Sequence, residues 1–94
     1  MPSKPRRAPT KLAEKLKRIR VELGLSQTEM VKRLGAEEEI NRGKISEYER
    51  GQRIPALHVL LAYAAVANVW LDYLVSDDLD LPPQLPAPSK TIDV

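Results

Sequence analysis

Apolar residues at Leu12, Leu16, Ile19 and Leu23 fall four, three and four positions apart. That spacing predicts one face of an amphipathic helix, with Thr10 as a candidate N-cap and Gly24 at the natural C′ position. Lys11, Lys15, Lys17, Arg18 and Arg20 decorate the same helix. A second helix starts at Ser26. Ser26 and Glu29 form an S-x-x-E capping box, and Leu25 can staple onto Met30. Met30, Val31 and Leu34 supply its apolar face, and Gly35 stops it. Residues 36–40, AEEEI, fit either a helical extension or a loop. Asn41 is a good N-cap for a third helix over about 42–50, with Ile40 placed to staple onto Ile45. Ile45, Tyr48 and Glu49 share one face of it; Arg42, Gly43, Ser46 and Glu47 lie opposite, and Gly51 ends it. A fourth helix covers about 56–67 and closes at Asn68, which tolerates the left-handed C-cap conformation. Residues 70–75, WLDYLV, read as a short fifth helix. No stretch alternates long enough for a sheet, so the pattern predicts an all-α fold of five helices.

Proline sets the boundaries. Of eight prolines, three lie in residues 1–9, four in 82–88, and only Pro55 between. Proline removes a backbone donor and interrupts helices. The expected organisation is a flexible basic arm (1–9), a helical domain (10–76), and an acidic, proline-rich disordered tail (77–94). The 94 residues hold no Cys, which removes disulfides and thiolate metal sites from consideration. The longest apolar run, Val59 to Ala67, is too short to span a bilayer, and no apolar core follows the basic start to suggest a secretory signal. The expectation is a cytoplasmic protein without membrane association.

Charge sharpens this picture. Residues 1–53 carry 14 Lys/Arg against 8 Asp/Glu; residues 54–94 carry 1 against 5. A basic front half and an acidic back half suggest a polyanionic partner for the front. Catalysis is not expected. The sole histidine, His58, lacks a Cys partner, and Glu37, Glu38 and Glu39 are consecutive, so they fan around any helix instead of converging on a metal. No catalytic residue, metal or cofactor is assigned.

Two short helices joined tightly after a basic first helix suggest helix-turn-helix DNA binding. The segment L-G-L-S-Q-T-E-M-V-K-R-L-G (23–35) resembles the second helix of the Cro/C1-type (XRE) helix-turn-helix family. K-I-S-E-Y-E-R-G (44–51) is similar to its recognition helix, and P-A-L-H-V-L-L-A-Y-A-A-V-A-N-V (55–69) to its fourth helix. The resemblance covers about Thr10 to Val75. It implies a compact five-helix, lambda-repressor-like domain with flexible termini. It also implies sequence-specific binding of double-stranded DNA by a repressor-type regulator, a bacterial or phage-type protein associated with the nucleoid.

With Ile45 and Tyr48 packed inward, Arg42, Gly43, Ser46 and Glu47 are expected to face the major groove, which admits one helix and distinguishes all four base pairs; Lys44, near the helix start, suits either a phosphate or a base. Arg42 can donate two bonds to guanine, and Glu47 can either accept from cytosine or exclude wrong sequences by repelling phosphate. In similar proteins a glutamine at the position of Gln27 contacts the DNA backbone, and the N–H groups of a helix start, with Thr28, suit phosphate. Arg53, and Lys4, Arg6, Arg7 and Lys11 of the arm, are further phosphate candidates. By resemblance, Arg20 and Glu49 form an ion pair joining helices 1 and 3. Two departures from the family stand out. Gly35 to Ile45 spans ten steps where the family usually has six, so about four residues are inserted. Gly43 lies inside a helix, where glycine costs about 1 kcal/mol relative to alanine.

Helix 4 is more apolar than one buried face requires. Val59, Ala62, Val66, Trp70 and Tyr73 are therefore expected to form a twofold homodimer interface centred on Trp70, presenting two recognition helices to half-sites about 34 Å apart. Packing of Trp70 and Tyr73 into the monomer is the alternative. The competing functional reading is an antitoxin-like or adaptor protein acting through protein contacts, and the PxxP pattern of the C-terminal tail is a possible docking segment for a protein partner.

Overall fold

In the computed structural model, which describes residues 11–86, the first apolar stripe becomes the spine of the core. Helix α1 (Leu12–Glu22) buries Leu12, Leu16 and Ile19. Helix α2 (Gln27–Leu34) buries Met30, Val31 and Leu34, and helix α3 (Arg42–Glu49) buries Ile45 and Tyr48. Helix α4 (Leu57–Ala67) contributes Val59, Leu60, Tyr63, Ala64 and Ala67, and the single turn α5 (Asp72–Val75) contributes Leu74. α1 packs on α3, α4 and α5, while α2 packs on α3 and α4. All these side chains belong to one apolar cluster.

The local signals act where the sequence places them. Ser26 Oγ accepts from Glu29 N–H at 3.0 Å, and Glu29 Oε1 accepts from Ser26 N–H at 2.7 Å. These bonds hold the Glu29 carboxyl below its usual range. Gly35 ends α2 at φ 70° and Asn68 ends α4 at φ 62°, both left-handed. Asn41 Oδ1 accepts from Lys44 N–H at 3.1 Å and starts α3. Thr10 lies outside the described residues; Lys11 directly precedes α1, with no side-chain cap.

The insertion is a loop. Glu39 and Ile40 N–H both donate to the Ala36 carbonyl at 2.9 Å, and Ile40 is buried in the core. The three glutamates therefore ride on a turn pinned by one apolar anchor. Glu39 faces α4, with both carboxylate oxygens 2.6 to 2.7 Å from His58 Nε2.

The tail departs from its expected disorder over residues 77–86. This segment runs alongside α1 in the same direction, contacting Lys11, Lys15, Arg18 and Glu22 in turn. Asp77 Oδ1 accepts from Lys11 N–H at 3.0 Å, and Asp80 Oδ1 from Lys11 Nζ at 3.3 Å. Lys15 Nζ donates to the carbonyls of Tyr73, Ser76 and Leu79 at 2.7, 2.8 and 2.6 Å. Arg18 donates to the carbonyls of Pro82 and Pro83, and Leu85 N–H donates to Glu22 Oε2 at 2.7 Å. Leu81 enters the core at 6% exposure. Proline-rich composition argues against a helix or an inner strand, but it leaves every carbonyl free to accept. A donor-bearing helix face can therefore order such a segment. Residues 87–94 lie outside the described part.

Two expectations about α1 are corrected by the same contacts. Lys15 does not decorate the surface: it is 6% exposed, and burial pushes its pKa down. Lys11 is bonded to the segment 77–86, a strap along α1, instead of being held out for phosphate.

Candidate nucleic-acid interface

The outward side of α3 carries Arg42 and Gly43 in its first turn, then Lys44, Ser46 and Glu47. Arg42 and Gly43 are exposed, and the other three are half-buried. The orientation follows from burial of Ile45 and Tyr48 on the other side. A Cβ added at Gly43 would meet only Asn41 Oδ1, at 3.2 Å. Glycine here thus leaves room for the capping oxygen and keeps the first turn of α3 thin on its outer side.

Arg20 and Glu49 come together across the α1–α3 contact. Arg20 Nε and Nη2 donate to the two Glu49 carboxylate oxygens at 2.7 and 2.9 Å, a bidentate pair. The Glu49 side chain is 4% exposed and that of Arg20 is 15%. The bond from Glu49 raises the Arg20 pKa, so the guanidinium stays charged. Arg20 Nη1 also donates to the Leu25 carbonyl at 2.9 Å, and Gln27 Nε2 donates to Glu49 Oε1 at 3.3 Å. One guanidinium therefore ties α1, the entry to α2, and α3 together. Its fork geometry fixes the angle between the two outward-facing elements more than it adds stability.

Gln27 is consequently half-buried and part of this network, while Thr28 is exposed beside it. The Ser26 cap takes the Glu29 N–H, and the first-turn N–H groups of Gln27 and Thr28 remain at the helix start, a geometry suited to anions. Thr28, Lys32, Asn41 and Arg42 line a shallow concavity of about 290 Å³ between α2 and α3, with Glu37 at its edge. Lys32 was not singled out from the sequence; its i+4 spacing from Thr28 was the available signal. Arg50 was also missed: its Nε donates to Ser46 Oγ at 3.1 Å, one turn back on the outer side of α3.

Glu47 and Arg53 do not act separately. Arg53 Nε donates to Glu47 Oε1 at 2.7 Å, and this bond lowers the Glu47 pKa. The acid on the outer side of α3 is thus accompanied by its own cation, which limits its repulsion of a polyanion. Arg6 and Arg7 lie outside the described residues.

The expected dimer residues divide. Val59 is 2% exposed and belongs to the core, so it cannot form an interface. Helix phase is the reason: Val59 and Tyr63 share the inward stripe, and the outward stripe of α4 is Leu57, Leu61 and Ala65. Ala62, Val66 and Tyr73 are half-buried against the core. Trp70 stands out at 78% exposure, beside a cleft lined by Val69, Tyr73, Pro82 and Pro86.

This arrangement is that of a helix-turn-helix domain: a capped second helix, a third helix with an outward polar side, and an ion pair locking both to the first. The helix-turn-helix family profile matches residues 16–74, and the chain belongs to that family, in its Cro/C1-type group. The five-helix, lambda-repressor-like fold is similar to that of the P22 c2 repressor protein, solved in complex with synthetic operator 9T in the presence of Tl+. The two share 27% identity at a TM-score of 0.62, over 71% of this chain and 96% of that chain. No curated protein matches the chain in sequence.

Proposed function

We propose that the protein is a repressor-type transcriptional regulator that binds double-stranded DNA sequence-specifically, with α3 in the major groove. The observation that carries this reading is the exposed polar side of α3, held at a fixed angle to the start of α2 by the Arg20–Glu49 fork. Arg42, Lys44 and Ser46 read base edges. Gly43 allows close approach, and Glu47 with Arg53 forms a neutralised pair at the edge of the contact. Thr28, Gln27 and Lys32 meet phosphates and set the register. Random-site selection at moderate salt should recover a preferred sequence. Recovery of none would hand the chain to the adaptor reading.

The active form is a homodimer meeting through Trp70, with Tyr73 and the half-buried Ala62 and Val66 supporting it. The support is a large indole left in water beside an apolar cleft. Sedimentation at micromolar concentration should give a dimer for wild type and a monomer for Trp70→Ala; a monomeric wild type would remove this part. The protein works in the cytoplasm on this reading, and among the described residues no helix is long and apolar enough to cross a membrane.

A further inference from the structure

The acidic strap lies on the most cation-rich helix, and its acids sit where an external anion would bind. Lys11, Lys15 and Arg18, with Glu14, line a concavity of about 190 Å³ that the strap closes with Asp80 and Leu81. Without the strap, these three cations would form a ridge along one side of α1, at positions i, i+4 and i+7. Such a ridge binds phosphate backbones of any sequence, because a line of point charges reads no base. With the strap in place, Asp80 is bonded to Lys11, Lys15 is enclosed by three carbonyls, and Arg18 is turned to Pro82 and Pro83. Asp77 and Asp80 also act electrostatically on Lys15.

We propose that residues 77–85 form an intramolecular polyanion guard: Asp77 and Asp80 occupy the basic face of α1 and so confine phosphate binding to the α2–α3 side. The guard is a specificity device. It leaves the preferred-sequence complex unchanged and suppresses binding to everything else. Specificity is a difference of affinities, and removing a wrong contact widens it as effectively as adding a right one. The inference rests on the DNA-binding reading for its biological purpose, but the masking itself is a property of the strap and α1.

The test uses the full chain and two polyanion probes, a random-sequence duplex and heparin. In Asp77→Asn/Asp80→Asn the amide oxygen at position 77 can still accept from Lys11 N–H, so charge is lost while that bond is kept. Asp80→Asn alone serves as a milder variant should the double one melt early. The control, Asp72→Asn/Asp78→Asn, removes the same charge from positions with no bond to α1. The double variant should bind the random duplex about tenfold more tightly at moderate salt. Its log–log salt slope should steepen by about one, as expected for the ammonium of Lys11 released from Asp80. Heparin elution should shift to higher salt, while affinity for the selected sequence changes by less than about twofold. Equal gains in the control would reduce the effect to net charge and overturn the guard, as would no gain in a folded variant. If selection yields no preferred duplex, the regulator reading fails, yet the heparin shift still reports on the guard.

Discussion

α1 and α3 both present cations in a basic half of the chain, and they use them in opposite ways. On α1, Lys15 and Arg18 satisfy the strap's carbonyls, Arg20 holds Glu49, and Lys11 just before the helix holds Asp80. On α3, Arg42 and Lys44 lie in the first turn, where Asn41 caps the backbone; Arg42 is exposed and Lys44 half-buried. Net charge by segment treats the two sets alike. The difference teaches that a cation's role is set by the acceptors within its reach. α1 is flanked on one side by an extended segment whose prolines cannot donate but whose carbonyls accept, and among the described residues no such segment covers α3.

Substitutions that separate the two roles test this contrast. The largest effect is expected from Lys15→Met, which keeps the aliphatic stem but leaves three carbonyls without their donor. It should destabilise the fold by about 3 kcal/mol, read by urea unfolding, with the preferred DNA sequence of the folded fraction unchanged. A stable Lys15→Met would show that the strap is incidental to the fold. Arg42→Ala should do the reverse: unfolding unchanged, and about 1–3 kcal/mol of base discrimination lost at one position of the preferred site, measured by competition between single-base variants. Loss that is uniform across sequences would make Arg42 a phosphate contact instead.

The smallest effect concerns Tyr63 of α4, fully buried in the core. Its hydroxyl is buried with no hydrogen-bond partner among the described residues, and burial drives its pKa up strongly. Tyr63→Phe should therefore be neutral or stabilising by about 1 kcal/mol, seen as an unchanged or higher unfolding midpoint. A clear destabilisation would reveal a bond to that hydroxyl.

Legibility in the sequence followed locality. The capping box at Ser26 and Glu29, the Asn41 cap, and the stripes through Leu16, Ile45 and Leu60 rest on residues a few positions apart, and the structure keeps each of them. The Lys15 clamp, the Arg18 bonds to Pro82 and Pro83, and the burial of Leu81 join positions more than fifty residues apart. Periodicity registers only apolar recurrence, so the polar stripe Lys11, Lys15, Arg18, Glu22, though equally periodic, gives no sign of the segment it meets. The Val59 misplacement has a different cause. α4 is apolar nearly all round, so its sequence carries little information about which side faces inward. In the candidate site, the outward residues of α3 could be named because Ile45 and Tyr48 fix the phase. The Glu47–Arg53 pair could not, since it depends on how the chain folds back after Gly51.

The course of the strap along α1 also sets an order of events during synthesis. Residues 11–22 leave the ribosome before residues 77–85, so α1 is complete while the acceptors for Lys15 and Arg18 are still unmade. All five helices can precede the segment that covers the first of them. A chain released early, at the end of α5, would carry every residue proposed to read bases together with an uncovered basic ridge. Synthesis of residues 77–85 thus separates a chain with an open basic ridge from one whose ridge is covered.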